Sequence, residues 1–391
     1  MLGTNFPAWP CFDEAEIAAV SNVMRSNRVN YWTGQECRLF ETEFASWTGV
    51  PHAVALANGT LALDLCWKVL GIGAGDEVIC TPRTFLASAS SIINAGAIPV
   101  FADVDVDSQN ITPETASRVL TKKTRAILCV HLAGWPCDMD GFRDLAKLHN
   151  LKLVEDCAQA HGASWNGKSV GSLSDMAAWS FCQDKIMTTG GEGGMVTTHD
   201  HKLWSDAWSF KDHGKSWEAV YERQYPPGFR WLHETIGTNW RMLEIQGVIG
   251  RLQLQKMPEW TAKRTRHAQK ILEAASRCSG LRVPSPPQQA QHAYYKAYAF
   301  VRPEVLKTDW SRDRIIHEIN QLGVPCYQGS CSEVYLEKAF DHAPGRPPKR
   351  LDVAKQLGET SLMFLVHPTL EETHIMQTTE AIAQIMAQAQ R

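Results

Sequence analysis

The chain has 391 residues; at about 150 residues per domain this is a prior for two or three domains, which excludes a single small binding module. Hydrophobic residues make up 44% and charged residues 21%, a composition that excludes disorder and fibrous repeats. Lys and Arg number 39 against 42 Asp and Glu, a formal charge of −3, so no global basic field exists to hold nucleic acid or anionic lipid, and any polyanion must be met locally.

The N-terminal stretch MLGTNFPAWPCFDEAEI lacks a basic segment followed by an apolar one, and no apolar run is long enough for a bilayer. The expectation is a cytoplasmic protein with neither membrane nor nucleic-acid partners. The 11 cysteines are scattered from Cys11 to Cys331 without a Cys-x-x-Cys pair. Cys80, Cys129, Cys157 and Cys182 sit in apolar, strand-like runs, which predicts buried reduced thiols and neither a disulfide frame nor a metal site.

From about residue 50, short β-branched runs alternate with longer stretches of helical period. AVALA (53–57) reads as a strand, Asn58-Gly59 as a turn and TLALDLCWKVL (60–70) as a helix. The cycle repeats with DEVICTP (76–82), TFLASASSIINA (84–95), IPVFADVD (98–105), a helix opened by Thr112-Pro113-Glu114, RAILCVHLAG (125–134), a helix from Met139 to His149, and LKLVEDCA (151–158). Such a series predicts a mainly parallel, buried sheet with helices on both faces, whose chemistry collects at the carboxyl ends of the strands. MAAWSFC (176–182) and GGMVTT (193–198) read as two further strands. Past Trp204 the alternation weakens. From about Arg251 a long helical stretch leads to YKAYAFV (295–301), a helix at 311–324 and a terminal helix from Glu371. The expected division is therefore 1–250 for a large domain, including an N-terminal helical segment, and 251–391 for a smaller α+β domain.

Asp156 closes an apolar strand, a costly place for a carboxylate unless a cation or hydrogen-bond donor meets it. Lys185 follows the strand MAAWSFC and precedes the glycine-rich TTGGEGG (188–194). Apolar flanks there favour a lysine whose amine loses its proton easily, as a Schiff-base nucleophile must. The amides of Gly59 and Thr60, at a strand-to-helix junction, suit a phosphate, and the Ser180 hydroxyl suits the same anion. Together these groups match the needs of pyridoxal phosphate: an amine for its aldehyde, a carboxylate for its ring nitrogen and a cradle for its phosphate.

The segments ANGTLAL (57–63), GDEVICTPRTFLASASSI (75–92), VEDCAQAHGA (154–163), GSLSDMAAWSFCQDKIMTTGGEGGMV (171–196) and GTNWRM (237–242) resemble the DegT/DnrJ/EryC1/StrS family of sugar aminotransferases. The resemblance implies the type I fold of pyridoxal phosphate-dependent transferases, with a mainly parallel seven-stranded sheet in the large domain. It implies that Lys185 holds the cofactor as a Schiff base, that Asp156 faces its ring nitrogen, that Gln159 approaches it, and that Phe85 stacks on the ring. Gly59, Thr60 and Ser180 match phosphate contacts. Asn239 matches an asparagine that reaches the phosphate from a neighbouring subunit, which implies a homodimer with shared active sites. The implied reaction is ping-pong transamination from L-glutamate to a keto sugar on a nucleoside diphosphate, a 4-keto-6-deoxyhexose, for amino-sugar and polysaccharide building.

Trp32, Arg83, His213 and Tyr327 are the substrate-side candidates. Arg83 departs from the less strongly charged residue expected there, and Cys326, Tyr327 and Cys331 replace the His-Tyr pattern of the family's substrate loop. His161 is a weaker candidate. Two alternatives remain: a dehydratase of the same family, whose members carry histidine where this chain has Lys185, and a non-catalytic regulatory member.

Overall fold

The structure is a computed structural model and describes residues 5–391. Helix α1 (Glu14–Ser26) opens on a reciprocal cap: Asp13 accepts from the Glu16 amide at 3.0 Å, and the Glu16 carboxylate accepts from the Asp13 amide at 2.8 Å. Helix α2 (Glu36–Thr48) starts against a distant carboxylate, Glu244, which accepts from the amides of Glu36 and Cys37 at 2.6 and 3.3 Å.

The alternation read from the sequence then unfolds as β1 (His52–Leu56), α3 (Gly59–Leu70), β2 (Glu77–Cys80), α4 (Ala87–Asn94), β3 (Ile98–Phe101), α5 (Pro113–Ser117), β4 (Thr124–Val130), α6 (Met139–His149) and β5 (Lys152–Asp156). The helix expected at Pro113 is a short one, opened by Thr112 as its cap. A small hairpin, β6 (Ser164–Trp165) and β7 (Lys168–Ser169), precedes β8 (Met176–Ser180), β9 (Gly194–Thr198), α7 (His201–Lys211) and α8 (Trp217–Tyr221).

The central sheet has seven strands in the order β1-β9-β8-β5-β4-β2-β3. Strand β9 runs antiparallel to both β1 and β8, and the remaining pairs are parallel. Side chains alternate across it as the pleat requires. Val54 and Leu56 of β1 pack with Trp67 of α3 and Trp208 of α7 on one face, while Ala53 and Ala55 pack with Phe40 and Phe44 of α2 on the other.

Helix α9 (Glu244–Ser276) begins before the expected start at Arg251, so the boundary expected between residues 250 and 251 falls inside it. Its first half is tied to α2 by Arg251, which bonds Glu36 and Glu43. Its second half packs under the smaller unit through Ala268 and Ile271. That unit comprises β10 (Leu281–Arg282), β11 (Ala290–Gln291), β12 (Ala297–Val301), α10 (Arg312–Gln321), β13 (Cys326–Tyr327), α11 (Asp352–Thr360), β14 (Ser361–Phe364) and α12 (Glu372–Ala389). Four of its strands form the antiparallel order β10-β12-β14-β13, whereas β11 crosses the boundary to pair with β6. Among the described residues no helix is long and apolar enough to cross a membrane.

Candidate active site

At the carboxyl ends of β5 and β8 lies a cavity of about 570 Å³. The turn at Asn58 delivers α3 to its wall: the Asn58 side chain accepts from the Leu61 amide at 3.0 Å, and the first-turn amides of Gly59 and Thr60 have no acceptor within the helix. The helix can begin here only because residue 59 lacks a side chain. A Cβ on Gly59 would stand 2.5 Å from the Ser180 Cβ, and one on Gly194 would stand 2.2 Å from the Asn58 carbonyl oxygen. Ser180 accepts from the Cys182 amide at 3.3 Å, which leaves its own proton for an anion in the cavity.

Asp156 is buried at the end of β5. One carboxylate oxygen accepts from Ser88 Oγ at 2.8 Å and the other from the Ala158 amide at 3.1 Å. Burial pushes this carboxyl above the ordinary carboxylate range, against the pull of those two donors and of the Lys185 charge. Thr84 Oγ1 lies 2.8 Å from Ser88 Oγ and fixes that hydroxyl in turn. The neighbouring Glu155 points away from the cavity into a buried network, accepting from the amides of Gly171 and Leu173 at 2.8 and 3.0 Å and lying 3.0 Å from His131 Nε2. The Cys137 amide donates to His131 Nδ1 at 3.0 Å, so the proton of the neutral imidazole is on Nε2. His131, Glu155 and Cys157 lie close enough together to suggest a metal, but both ring nitrogens and the carboxylate are already engaged.

Lys185 stands in the tight loop between β8 and β9, closed by the Phe181 amide on the Gly193 carbonyl at 2.8 Å and the Gln183 amide on the Gly191 carbonyl at 2.9 Å. Its ammonium lies 3.3 Å from Asp184 and 5.3 Å from the centre of the Tyr295 ring. Burial opposes the Asp184 charge, yet Lys185 and the Tyr295 hydroxyl outweigh it and hold the carboxyl below its usual value. Gln159 Oε1 accepts from the Ala133 amide at 2.8 Å, holding that residue at a φ of 57° and leaving the side-chain NH₂ for the cavity. Phe85 lines the cavity and is 70% exposed, an aromatic face with no core to fill.

The sequence matches the DegT/DnrJ/EryC1/StrS aminotransferase family over residues 10–383. The chain belongs to that family. It is an enzyme, an aminotransferase of the pyridoxal phosphate-dependent kind. It is 62% identical to the aminotransferase from Psychrobacter cryohalolentis, whose X-ray structure superposes with a TM-score of 0.97 over 98% of this chain and 99% of that one. It is 34% identical to GDP-perosamine synthase of Caulobacter vibrioides over 89% of both chains. It is 32% identical to the dTDP-3-amino-3,4,6-trideoxy-alpha-D-glucose transaminase of Streptomyces venezuelae, over 93% of this chain and 90% of that one.

The structure brings Gly59, Thr60, Phe85, Asp156, Gln159, Ser180 and Lys185 to one cavity. The substrate-side candidates lie elsewhere. Arg83 is wholly buried, its Nε bonded to Gln109 at 2.9 Å and its Nη2 to Ser361 of β14 at 3.1 Å, with the Tyr298 ring beside it; it is an internal tie between the two units and not a surface charge. Trp32 is half-buried in an aromatic cluster with Tyr31, Trp208 and Tyr221, and Lys215 lies over its ring. His213 is exposed beyond α7 at a φ of 60°, and Tyr327 is half-exposed on β13. None of the four lines this cavity. Asn239 is exposed next to Trp240 and Arg241, outside this chain's own cavity. His161 is buried against Phe181 and against Trp179, which lines the cavity, but does not line it itself. Cys182, expected inside a strand, is half-buried at the cavity. Ser88, Asp184 and Glu192 also line it, although nothing in their local sequence sets them apart.

Proposed function

We propose that this enzyme moves an amino group from L-glutamate to a keto sugar carried on a nucleoside diphosphate, a 4-keto-6-deoxyhexose, by ping-pong transamination in the cytoplasm. The observation that carries the reading is the convergence of the Lys185 amine, the Asp156 carboxylate and the Gly59–Ser180 anion cradle on one cavity. Relatives whose names specify a GDP-linked and a dTDP-linked amino sugar support the acceptor class.

The donor set fits pyridoxal phosphate. Lys185 would hold its aldehyde carbon, Asp156 its ring nitrogen, Phe85 a ring face, and Gly59, Thr60 and Ser180 its phosphate. When bound, the cofactor supplies an electron-withdrawing ring that makes the Cα–H bond of an attached amino acid acidic. The chain's own residues do the rest. Asp184, 3.3 Å away, holds the Lys185 amine at the cavity wall, where it would move the proton of the substrate carbon. Ser88 and Ala158 donate to Asp156 and favour its carboxylate form against the effect of burial. Gln159 offers its NH₂ beside the ring. Asn239 is assigned to the phosphate of a neighbouring subunit in a homodimer with shared sites. An amine at position 185 favours amino transfer over the dehydratase reading, and an intact donor set argues against a regulatory member without turnover.

The test is the visible spectrum of the pyridoxal phosphate-loaded protein before and after L-glutamate, followed by a panel of keto-sugar nucleotides. Bleaching by glutamate and recovery with one sugar is the expected result. A protein that binds no pyridoxal phosphate overturns the site assignment, and a band indifferent to glutamate overturns the donor.

A further inference from the structure

Asp212 closes α7 and is wholly buried, in a place where a carboxylate is disfavoured twice. Burial strips its water, and the unpaired carbonyls at the end of a helix repel it. Two cations from outside the helix offset this. Arg241 Nη1 donates to Asp212 Oδ1 at 2.7 Å and Lys215 Nζ donates to the same oxygen at 3.3 Å, while Oδ2 is buried with no partner among the described residues. Apolar side chains of similar volume often serve stability as well as a buried ion pair does, so stability alone does not account for this one.

What the pair fixes is a strap, residues 237–241, laid between α7 and β1. The Thr238 amide donates to the Phe210 carbonyl at 2.8 Å, the His213 amide to the Thr238 carbonyl at 2.9 Å, and the Trp240 amide to the Lys211 carbonyl at 3.0 Å. The approach leaves no slack: a Cβ on Gly237 would stand 2.6 Å from the Phe210 carbonyl oxygen. On its other edge the strap meets β1. The Ala57 amide donates to the Trp240 carbonyl at 3.0 Å, and Leu56 bridges to Arg241. Ala57 is the residue before the Asn58-Gly59-Thr60 turn, so the strap buttresses the anion cradle from behind. Between the two tied residues stands Asn239, which is exposed. Its Oδ1 accepts from the Arg241 amide at 3.4 Å, and its NH₂ has no partner among the described residues. Just upstream, Phe229 and Trp231 are 77% and 79% exposed and Ile236 is 92% exposed, as side chains covered by a second copy of the chain would be.

We infer that Asp212 is a positioning residue for the cofactor phosphate at two sites at once: through Arg241 it holds the strap that buttresses the Gly59 cradle of its own chain and presents Asn239 to the phosphate of the neighbouring subunit. The inference rests on the part of the proposed function that assigns Asn239 across a homodimer. Asp212 lies outside the cavity lining and touches no reacting group. Its loss therefore weakens the grip on the phosphate and leaves alone the grip on the ring, whose expected holders Asp156, Phe85 and Lys185 stand on other elements.

The test compares wild type with Asp212→Ala, Asp212→Asn and the Asp212→Ala, Arg241→Met double variant. Each holoenzyme is dialysed against graded pyridoxal phosphate, and separately against graded pyridoxal, which has the same ring and aldehyde without the phosphate. The retained cofactor is read from its visible band, and the thermal transition is recorded beside it. Asp212→Ala raises the pyridoxal phosphate concentration for half-retention about 10-fold, the worth of one charge-assisted contact, and leaves the value for pyridoxal unchanged. Asp212→Asn keeps an oxygen for Arg241 without the charge and falls between. The double variant regains the thermal transition that Asp212→Ala loses, because no guanidinium is left without its anion, yet it keeps the phosphate-selective defect.

Equal weakening of pyridoxal phosphate and pyridoxal overturns the inference, as does a double variant that regains cofactor retention together with its thermal transition, since Asp212 would then serve the fold alone. Wild-type retention in a folded Asp212→Ala also overturns it. The shared-site reading is tested apart from this by mixing Lys185→Ala chains with Asn239→Ala chains and measuring transamination at limiting pyridoxal phosphate. Mixed dimers that exceed both parents support the reading, because one of their two sites has both residues. Mixtures no better than the Asn239→Ala parent overturn that reading and the Asn239 half of the inference, whatever Asp212→Ala does to the cradle.

Discussion

Ser88→Ala isolates what favours the ionised form of Asp156 against burial. The serine hydroxyl donates to Asp156 Oδ2 at 2.8 Å inside a buried site, and Thr84 Oγ1 braces it from the other side at 2.8 Å. Burial already pushes the Asp156 carboxyl upward, and Ser88 is the largest of the opposing influences. Alanine removes the donor and leaves Ala158 and the Lys185 charge to hold the carboxylate alone. A hydrogen bond to a charged group is worth about 1.5–3 kcal/mol, so pyridoxal phosphate should be retained about 10- to 100-fold less tightly. The carboxyl should also take up its proton at a higher pH than in wild type. Dialysis against cofactor-free buffer, with absorbance spectra across a pH series, measures both effects. Ser88→Thr keeps the hydroxyl and should restore them. Wild-type retention and an unchanged pH series in Ser88→Ala would refute the idea that this hydroxyl sustains the carboxylate.

Lys185→Ala should abolish transamination while leaving the circular dichroism spectrum and thermal transition of the fold unchanged; measurable turnover would remove the lysine from its role. Gly59→Ala places a Cβ 2.5 Å from the Ser180 Cβ, so it should cost about 1–3 kcal/mol of stability and loosen the cofactor as the helix start is pushed outward. A variant that matches wild type in denaturant midpoint and cofactor retention would show that the junction relaxes freely. His161 and His367 are buried and lowered to about 3, chiefly by burial and then by the charges of Lys185 and Arg264 near the first, and of Arg264 and Lys296 near the second. Both are neutral in the folded and unfolded chain above the ordinary value of 6.5, and below it only the unfolded chain binds the proton. Stability should therefore fall between pH 7 and 5 by about 2 kcal/mol for each histidine, offset in part by Asp64, whose carboxyl burial raises to about 6. Urea midpoints at the two pH values check the slope, which should flatten in the His161→Gln, His367→Gln double variant.

The residues legible in the sequence share one property: each sits at the end of an element whose period is visible locally. Asp156 ends a strand, Ser180 ends another, Gly59 opens a helix, and Lys185 lies within a few residues of a glycine-rich turn. Ser88 does not share it. It lies inside α4, and its meaning comes from the approach of α4 to the end of β5, which no periodicity encodes. Glu244 escapes for the same reason, since its carboxylate caps a helix that lies far away in the chain. Arg83 misleads in the opposite direction: a cation beside a proline and a threonine reads as a loop residue, and only the folding of β14 onto the Tyr298 side of the smaller unit buries it. Trp32, in a polar stretch, reads as an open platform until α7 and α8 supply Trp208 and Tyr221 to cover it.

The same distinction separates chemistry from recognition. The reacting groups are fixed by strand ends and one loop, so a linear motif suffices to place them. If the proposed reaction holds, recognition of two anionic substrates at a single lysine requires their charges to be met at different places, because the cavity wall is itself acidic at Asp156, Asp184 and Glu192. In the proposed reading the cofactor's phosphate is met by the backbone amides of Gly59 and Thr60, which carry no net charge and leave the chain at −3.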